Sequence, residues 1–230
     1  NSPERIDPSR KFPTLQNIPK VIGGVNQEST NVATQFYSTV FTSVVPVRNS
    51  DHSEAVKLLE NSYRAVNISF INEFSDFCGT ADLNVDNIVD AASTKPYGFS
   101  PFRSWIGVGG HCIPVDPHYL LGTNPGLDWP ILSSTMDAMH ARPGRLAQAR
   151  VDGAKRLRKV LVCGVSYKPN VSDIRDAPQS DFVKTMKKND VSVDFYDPLV
   201  ESFEGLNKIS SLDTVDDYDA VYVMHKHNVC

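Results

Sequence analysis

The amino-acid sequence predicts an α/β protein with a long helical segment in its middle. Residues 50–79 form an uninterrupted helical run that has N-cap residues at its start and no proline or glycine before Gly79. From residue 159 onward, apolar β-type runs alternate with a helical run across short connections, which is typical of a parallel α/β domain. With 230 residues and 40% hydrophobic content, the chain can build one large or two modest packed domains.

The first 47 residues contain two predicted strands with a helix between them. Residues 1–20 hold four prolines and little periodicity, so we expect an extended segment there. Strands are predicted at residues 20–24 and 40–47, and a helix at 29–38. This pattern fits the end of an α/β domain or a small independent αβ unit, and periodicity alone does not decide between them.

The middle of the chain is predicted to be helical, with one long loop. The apolar residues of the 50–79 helix cover more than one face, so we expect it to be buried on several sides, as a central or dimer-forming helix is. Further helices are predicted at residues 85–92 and 131–141, with a break at Arg142-Pro143 and helical residues continuing to Arg150. The Gly- and Pro-rich residues 95–117 are too many for a simple connector, and such loops usually carry function.

The last part of the chain alternates strands and a helix. Strands are predicted at residues 159–165, 191–196 and 220–224, and a helix at 178–188. The short connections favour a parallel sheet. No internal repeat or low-complexity tract interrupts this pattern.

Charge and cysteine usage exclude several classes of partner. The formal net charge is -4 with both signs interspersed, so we expect no nucleic-acid partner. No apolar run approaches the roughly 20 residues that span a bilayer, so we expect no membrane partner. The four cysteines show no CxxC spacing and are too few for a disulfide framework, which favours a reducing, cytoplasmic location. The chain opens on Asn1 without a basic-then-apolar leader, so we expect no signal peptide and a piece of a longer protein.

The strongest local motif is GVGGHCIPVDP, at residues 107–117. Its three glycines permit positive φ angles and close approach of the backbone to a ligand, and two prolines stiffen its exit. Cys112 lies between these halves, where neighbouring N–H groups and cationic side chains can stabilise a thiolate that attacks a carbonyl carbon. The alternative is an ordinary buried cysteine in a turn.

Three further side chains favour a catalytic Cys112. Asp116 lies four residues further on, and Lys57 and Asn61 are one turn apart on the long predicted helix. A lysine and an amide aimed at one site can stabilise an oxyanion and hold a water molecule. By spacing alone, a solvent-facing polar stripe is the commoner explanation for the Lys57 and Asn61 pair. His111 has an equally plain alternative, as a loop residue that bonds to backbone.

A second motif, GVSYKPNVSDIRDAP, occupies residues 164–178. It follows a predicted strand, and α/β folds bind ligands at the carboxyl ends of parallel strands. Lys168 and Arg175 are therefore candidate ligands of a diphosphate, Arg175 being suited to bidentate contacts. The alternative is a salt bridge from Arg175 to Asp173 or Asp176.

These motifs occur in an order that resembles the UDP-glucose/GDP-mannose dehydrogenase family. The shared segments are SPERIDP from Ser2, IPKVIGG from Ile18, EAVKLLENSYRAVNISFINE from Glu54, GVGGHCIPVDP from Gly107 and GVSYKPNVSDIRDAP from Gly164. The resemblance covers nearly the whole chain. SPERIDP is similar to the branch that oxidises UDP-N-acetylglucosamine or UDP-N-acetylmannosamine at C6 to the uronic acid.

The resemblance implies three domains. Residues 1–47 would be the end of an N-terminal NAD-binding Rossmann domain, and residues 48–150 a central helical dimerisation and catalytic domain. Residues 151–230 would be a Rossmann-like UDP-binding domain, incomplete because the sequence stops shortly after the third strand. The resemblance also implies a UDP-sugar substrate, NAD as cofactor and a homodimer formed through the central helix.

The resemblance further implies a four-electron oxidation that uses two NAD in succession. Cys112 would capture the C6 aldehyde as a thiohemiacetal, which becomes a thioester that water hydrolyses. Lys57 and Asn61 would stabilise the oxyanions. Asp116 would help to activate water, and Glu4 would lie near the sugar and the nicotinamide. The other implied contacts are Arg175 with NAD, and Lys168, Pro101, Phe102, Arg103, Ser104, Trp105 and Gly109 with the substrate.

Two features depart from the family pattern. No GxGxxG fingerprint after a strand and no acidic ribose ligand occurs in these residues, so the chain alone should bind NAD weakly or not at all. Ser104-Trp105-Ile106-Gly107 stands where the family has Pro-Gly-Pro-Gly, and its bulky ring should alter substrate affinity or specificity. Both departures favour the alternative of a non-catalytic remnant that dimerises or binds UDP-sugar. SPERIDP argues against simple UDP-glucose specificity.

Overall fold

The computed structural model describes residues 1–6, 12–123 and 126–228. Residues 7 and 8 of the SPERIDP motif lie outside this part of the chain, as does Cys230. The chain divides into two compact units, Asn1–Tyr63 and Arg64–Cys230. None of the helices within the described ranges combines the length and the apolar content that crossing a bilayer requires.

The first unit contains a parallel pair of short strands joined by a helix. Strand β1 (Lys20–Ile22) pairs with strand β2 (Val44–Pro46). Helix α1 (Gln27–Tyr37) connects them and starts at Asn26, whose side chain accepts the backbone N–H of Ser29 in a capping box. The predicted strand, helix and strand are confirmed, although β2 is shorter than predicted because turns occupy the residues before it.

Helix α2 (Ser50–Thr80) is the longest element and continues from the first unit into the second. It confirms the helix predicted at residues 50–79. Small and apolar side chains such as Ala65 and Ile68 are buried. Four large apolar side chains of the same helix are between 52% and 68% exposed, namely Leu59, Tyr63, Phe70 and Phe77. The prediction of burial on several sides is therefore wrong for the chain by itself, because the described residues leave this apolar stripe uncovered.

Three more helices follow in the second unit, α3 (Val85–Ser93), α4 (Asp116–Thr123) and α5 (Pro130–Gly153). Helix α3 was predicted. Helix α4 was not, because its first residues continue the Gly- and Pro-rich composition of the preceding loop. The predicted break at Arg142-Pro143 is wrong, since α5 runs through both residues.

Proline is tolerated inside α5 because the residue before it is anchored by tertiary contacts. Pro143 has no N–H, so one helical hydrogen bond is lost, at a cost of about 3 kcal/mol. Arg142 donates to both carboxylate oxygens of Asp76 and to the carbonyl oxygens of Asn72 and Trp105. Arg142 and Pro143 are both buried. Packing and hydrogen bonding therefore outweigh the local preference of proline.

The second unit ends in a four-stranded parallel sheet, which confirms the predicted α/β domain. Its strands are β3 (Lys159–Cys163), β4 (Ser192–Tyr196), β5 (Asn207–Lys208) and β6 (Ala220–Val223), in the order β5-β4-β3-β6. Helix α6 (Gln179–Lys188) joins β3 to β4 and buries Phe182, Val183 and Met186 in the core. The short strand β5 and two 3₁₀ segments, Leu15–Asn17 and Leu212–Asp217, were not predicted.

The strand order places a topological switch point at the carboxyl edge of this sheet. Strand β3 pairs with β4 on one side and with β6 on the other, so the chain winds away from β3 in both directions. Open parallel sheets bind ligands outside the carboxyl ends of their strands at such a point. The chain leaves β3 into the motif of residues 164–178, and it leaves β6 into residues 224–228.

Candidate active site

Cys112 lies in the turn that leads into helix α4. Its carbonyl oxygen accepts the N–H groups of Val115 at 3.2 Å and of Asp116 at 2.8 Å. Its side chain is half-buried, with Sγ 3.4 Å from Nδ1 of His111. The other cysteines of the described chain, at 78 and 163, are buried. Cys112 is therefore the thiol, within the described ranges, that a reactant can reach.

The glycines before Cys112 allow the turn to pack against the second motif. A Cβ on Gly107 would lie 2.7 Å from Cβ of Pro178, and one on Gly109 would lie 2.7 Å from the carbonyl oxygen of Asp176. Gly110 has a φ of +78° and donates its N–H to the carbonyl oxygen of Arg175 at 3.2 Å. The close approach that these glycines permit is thus to residues 167–178, and the two motifs lie together.

The cations of the second motif already have partners. Arg175 donates to both carboxylate oxygens of Asp173, with the shortest distance 2.6 Å, which is the alternative that the sequence left open. These bonds hold the pKa of Asp173 at about 2 and raise the pKa of Arg175. Nζ of Lys168 lies 5.3 Å from the centroid of the Tyr167 ring. The Arg175 side chain is 65% exposed, so an anionic ligand can still reach it.

The loop before the glycines is anchored at Trp105. Its backbone N–H donates to Oδ1 of Asn72 at 2.8 Å, and its carbonyl oxygen accepts Nε of Arg142 at 2.9 Å. Its ring stacks on that of His225, with centroids 6.3 Å apart. Ser104, Trp105 and Ile106 line a groove of about 920 Å³ whose other wall includes Arg145 and Arg150.

The rest of that loop lies apart from the groove wall. Arg103 forms ion pairs with Asp86, at 3.1 Å, and with Asp90 of helix α3. Pro101 is exposed and Phe102 is half-buried. Of the predicted loop contacts, Ser104 and Trp105 therefore face the groove, whereas Arg103 is engaged by two carboxylates.

The first unit brings Lys57 and Glu4 together. Nζ of Lys57 donates to the backbone carbonyl oxygen of Glu4 at 2.7 Å. The Glu4 carboxylate accepts the backbone N–H groups of Arg5 and Ile6. Lys57 and Asn61 are half-buried and lie one turn apart on α2. Both can donate hydrogen bonds from the same part of the helix.

A buried cluster at the carboxyl edge of the sheet was not predicted. The ligand atoms of Asp197, His225 and His227 lie within 4.8 Å of one another. Nδ1 of His227 accepts the N–H of Asn170 at 2.9 Å, so its Nε2 carries a proton and donates to Oδ2 of Asp197 at 3.1 Å. A metal ion needs a bare nitrogen at that position. We therefore infer that Asp197 and His227 hold the ends of the strands together.

The hydrogen bonds of Ser166 determine the tautomer of His225. Ser166 Oγ donates to the carbonyl oxygen of Lys168 at 2.9 Å, so it accepts Nε2–H of His225 at 3.0 Å. Nδ1 of His225 then has no proton, and it is buried with no hydrogen-bond partner in the described structure. Burial lowers the pKa of His225 to about 4, and the neighbouring His227 adds to this shift. The spacing of two histidines just after a strand was the signal in the sequence.

Burial alone would raise the pKa of Asp197, but hydrogen bonds reverse this effect. The N–H groups of Leu199 and Val165 and the side chain of His227 stabilise the carboxylate and lower its pKa. Asp197 therefore remains an acceptor at the end of β4, in contact with the first residues after β3 and the last described residues after β6.

Two models of one protein family match successive parts of the chain. The central domain of the UDP-glucose/GDP-mannose dehydrogenase family matches residues 51–139, and the UDP binding domain of that family matches residues 161–229. The chain belongs to the UDP-glucose/GDP-mannose dehydrogenase family. The first match contains the turn of Cys112, and the second contains the parallel sheet with Lys168 and Arg175.

Curated relatives and solved structures agree with this family. A UDP-N-acetyl-D-mannosamine dehydrogenase of Methanococcus vannielii is 30% identical over 231 residues, which cover 98% of this chain and 53% of the relative. A UDP-N-acetyl-D-glucosamine 6-dehydrogenase of Pseudomonas aeruginosa is 31% identical over 225 residues, which cover 90% of this chain and 51% of the relative. The structure of a UDP-D-ManNAc dehydrogenase from Pyrococcus horikoshii has a TM-score of 0.83 at 28% identity and covers 99% of this chain and 55% of that one. This member of the UDP-glucose/GDP-mannose dehydrogenase family thus spans about half the length of the relatives it matches.

Proposed function

We propose that this chain belongs to a nucleotide-sugar 6-dehydrogenase that oxidises the C6 hydroxyl of a UDP-N-acetylhexosamine to the uronate. The observation that carries the proposal is the accessible Cys112 thiol in a turn packed against the Lys168 and Arg175 motif. The relatives named above, which act on UDP-N-acetylated sugars, support the substrate class. The family's UDP binding domain supports a UDP-sugar ligand at the sheet.

The oxidation removes two hydrides from C6, and in the whole protein NAD would accept both. The described residues do not form a complete dinucleotide site. The turn after β1 contains Gly23 and Gly24, but their backbone groups already bond to Asn1, Thr30 and Ser50. Arg175, the proposed NAD contact, is engaged by its carboxylate partner. We therefore assign to this chain only the steps that its own side chains perform.

The proposed chemistry on this chain centres on sulfur. Cys112 attacks the C6 aldehyde to give a thiohemiacetal, and the resulting thioester is later hydrolysed. Retaining the aldehyde on sulfur avoids the release of a reactive intermediate. By alignment with the family motif, Lys57 and Asn61 donate to the oxyanions. Each donor lowers the activation barrier by about 3 kcal/mol.

The remaining proposed roles concern water and the substrate. Asp116 would orient the hydrolytic water, and Glu4 would lie near the sugar. Lys168 and Gly109 would contact the nucleotide-sugar, together with the loop residues Pro101, Phe102, Arg103, Ser104 and Trp105. We further propose the domain bounds 1–47, 48–150 and 151–230, and a homodimer formed through α2. The exposed stripe of α2 favours the dimer, because large contiguous apolar patches usually mark interfaces.

Turnover of the whole protein tests the proposal. NADH formation is measured with UDP-N-acetylglucosamine and with UDP-N-acetylmannosamine, for the wild type and for Cys112→Ser. We expect turnover with at least one sugar and loss of more than about a hundredfold in Cys112→Ser. Cys78→Ala is the matched control and should retain turnover once folded. Undiminished turnover in Cys112→Ser would reject the mechanism.

A non-catalytic UDP-sugar-binding protein is the second candidate. Two observations favour it, the pairing of Arg175 with Asp173 and the Trp105 ring that occupies part of the substrate loop. Calorimetry with UDP-sugar separates the two candidates when it is combined with the turnover assay. Binding without turnover in the whole protein would support the second candidate.

A further inference from the structure

The thiol of Cys112 has a base beside it on the same turn. Sγ lies 3.4 Å from Nδ1 of His111, which is within hydrogen-bonding range for sulfur. The imidazole is exposed, whereas the sulfur is half-buried. A proton that leaves the sulfur can therefore pass to the ring and from there to solvent. Such a pair of nucleophile and base is a recognised arrangement for activating cysteine.

The carboxylate of Asp173 lies within electrostatic reach of His111. The pKa of Asp173 is lowered first by hydrogen bonds from Arg175 and, as a smaller cause, by the charge of the His111 imidazolium. Asp173 belongs to the segment against which the glycines pack, which keeps it near the turn.

We infer that His111 is the proton acceptor for the Cys112 thiol, a role that rests on the proposed thiohemiacetal chemistry. As the S–C bond forms at the aldehyde carbon, the S–H bond breaks and its proton moves to Nδ1 of His111. The π electrons of the carbonyl group move to oxygen and give the oxyanion. The imidazolium then releases the proton to solvent through the exposed side of the ring. No oxidant or reductant takes part in this step.

Alkylation of Cys112 tests the inference without substrate or cofactor. The chain is treated with iodoacetamide at pH 7, and carboxamidomethylation of the peptide that contains Cys112 is followed by mass spectrometry. We expect His111→Gln to slow the alkylation at least about tenfold. This is a smaller effect than the roughly hundredfold or more by which a general base accelerates turnover. His118→Gln, an exposed histidine on α4, is the matched control and should react within about twofold of wild type.

Rescue by free imidazole distinguishes proton transfer from a purely structural role. We expect added imidazole to restore the alkylation rate of Cys112 in His111→Ala. The rate in the wild type should not change. Circular dichroism shows whether each variant is folded, and His111→Gln and His111→Ala serve as independent replacements. An unchanged rate in a folded His111 variant overturns the inference, as does slow alkylation that imidazole does not restore. Because this assay needs no turnover, slow alkylation in the variants combined with an inactive wild type would refute the proposed function and leave the pair established.

Discussion

Arg142 holds Asp76 through two hydrogen bonds of 2.8 and 2.6 Å, one to each carboxylate oxygen. The same guanidinium reaches the carbonyl oxygens of Asn72 and Trp105. One buried side chain therefore joins α5 to α2 and to the loop that lines the groove. Four acceptor atoms depend on it, which explains why the helix continues through the following proline.

Removing this arginine should destabilise the second unit. We expect Arg142→Met to lower the free energy of unfolding by about 3 kcal/mol, because Asp76 and two carbonyl groups lose their donor. Arg142→Lys should lose most of the same contribution to the free energy of unfolding, since an ammonium group cannot match the planar fork of the guanidinium. Urea denaturation measures both variants.

The neighbouring Arg145 provides the control for that measurement. Its side chain is 58% exposed and lies 3.5 Å from Asp76. Arg145→Met should cost less than about 1 kcal/mol. Equal losses in the variants at 142 and 145 would contradict the anchoring role of Arg142.

The sequence predicted most elements because their patterns are local. The long helix and the strands of the C-terminal sheet follow from periodicity and punctuation by proline and glycine. The continuation of α5 through Pro143 was not predictable in this way, because it depends on acceptors that lie some 70 residues away in the chain. Local propensity cannot register such contacts.

The candidate site was predictable in composition but not in contacts. The motif around Cys112 identified the residues, whereas the partner of its glycines emerged only from the fold. The sequence predicted that these glycines permit close approach of the backbone to a ligand, and the structure brings Tyr167 and Pro178 against them. The cluster of Asp197, His225 and His227 was missed because the ends of two separate strands, β4 and β6, bring it together.

A methyl group at Gly109 should force the two motifs apart. Its Cβ would lie 2.7 Å from both the Asp176 carbonyl oxygen and Cβ of Tyr167, and none of these atoms can rotate away. We expect Gly109→Ala to destabilise the fold by about 2 kcal/mol, the usual cost of overpacking, and to reduce turnover of the whole protein. Urea denaturation and NADH formation are the measurements.

A second glycine shows the effect of the methyl group alone. Gly122 lies in helix α4, and its Cβ would meet nothing within 4 Å. Gly122→Ala should therefore stabilise the helix, by up to about 1 kcal/mol. If Gly109→Ala proved as harmless as Gly122→Ala, the close packing described here would be incorrect.

His225 should make stability depend on pH between about 4 and 6.5. Its pKa is lowered to about 4 in the fold, so between these values the unfolded chain binds the proton and the folded chain does not. Stability is thus unaffected above about pH 6.5 and falls as the pH drops toward 4. The total loss from this residue is on the order of 3 kcal/mol.

Comparison of two pH values isolates this contribution. Urea denaturation at pH 7.5 and at pH 4.5 gives the pH-dependent loss for the wild type and for His225→Gln, which cannot titrate. The variant should lose less stability between the two values, whereas His140→Gln, at an exposed position, should behave as the wild type. If His225→Gln and the wild type lost the same stability between the two pH values, burial would not be holding His225 in its neutral form.

The apolar stripe of α2 should mediate self-association. Its members, Leu59, Tyr63, Phe70 and Phe77, follow one another at intervals of four or seven residues and lie along one face of the helix. We expect Phe70→Glu to weaken the dimer by about 2 kcal/mol or more, roughly thirtyfold in the dissociation constant. Analytical ultracentrifugation gives the mass of each variant.

Phe36→Glu is the control for the dimer. Phe36 is 63% exposed on helix α1, outside the stripe, and the mass should remain that of the wild type. A wild-type protein that sediments as a monomer at every concentration tested would reject association through α2.

The interlocked glycine turn and second motif have a consequence for mutagenesis. Gly109 and Pro178 share one contact surface, so a change in either segment alters the energy of a change in the other. Single substitutions at Cys112, Lys168 or Arg175 will not sum to the effect of their combinations, and their costs cannot be apportioned residue by residue. Only double-mutant cycles will separate the two contributions of each segment. One is its contact with the ligand, and the other is its effect on the conformation of the neighbouring segment.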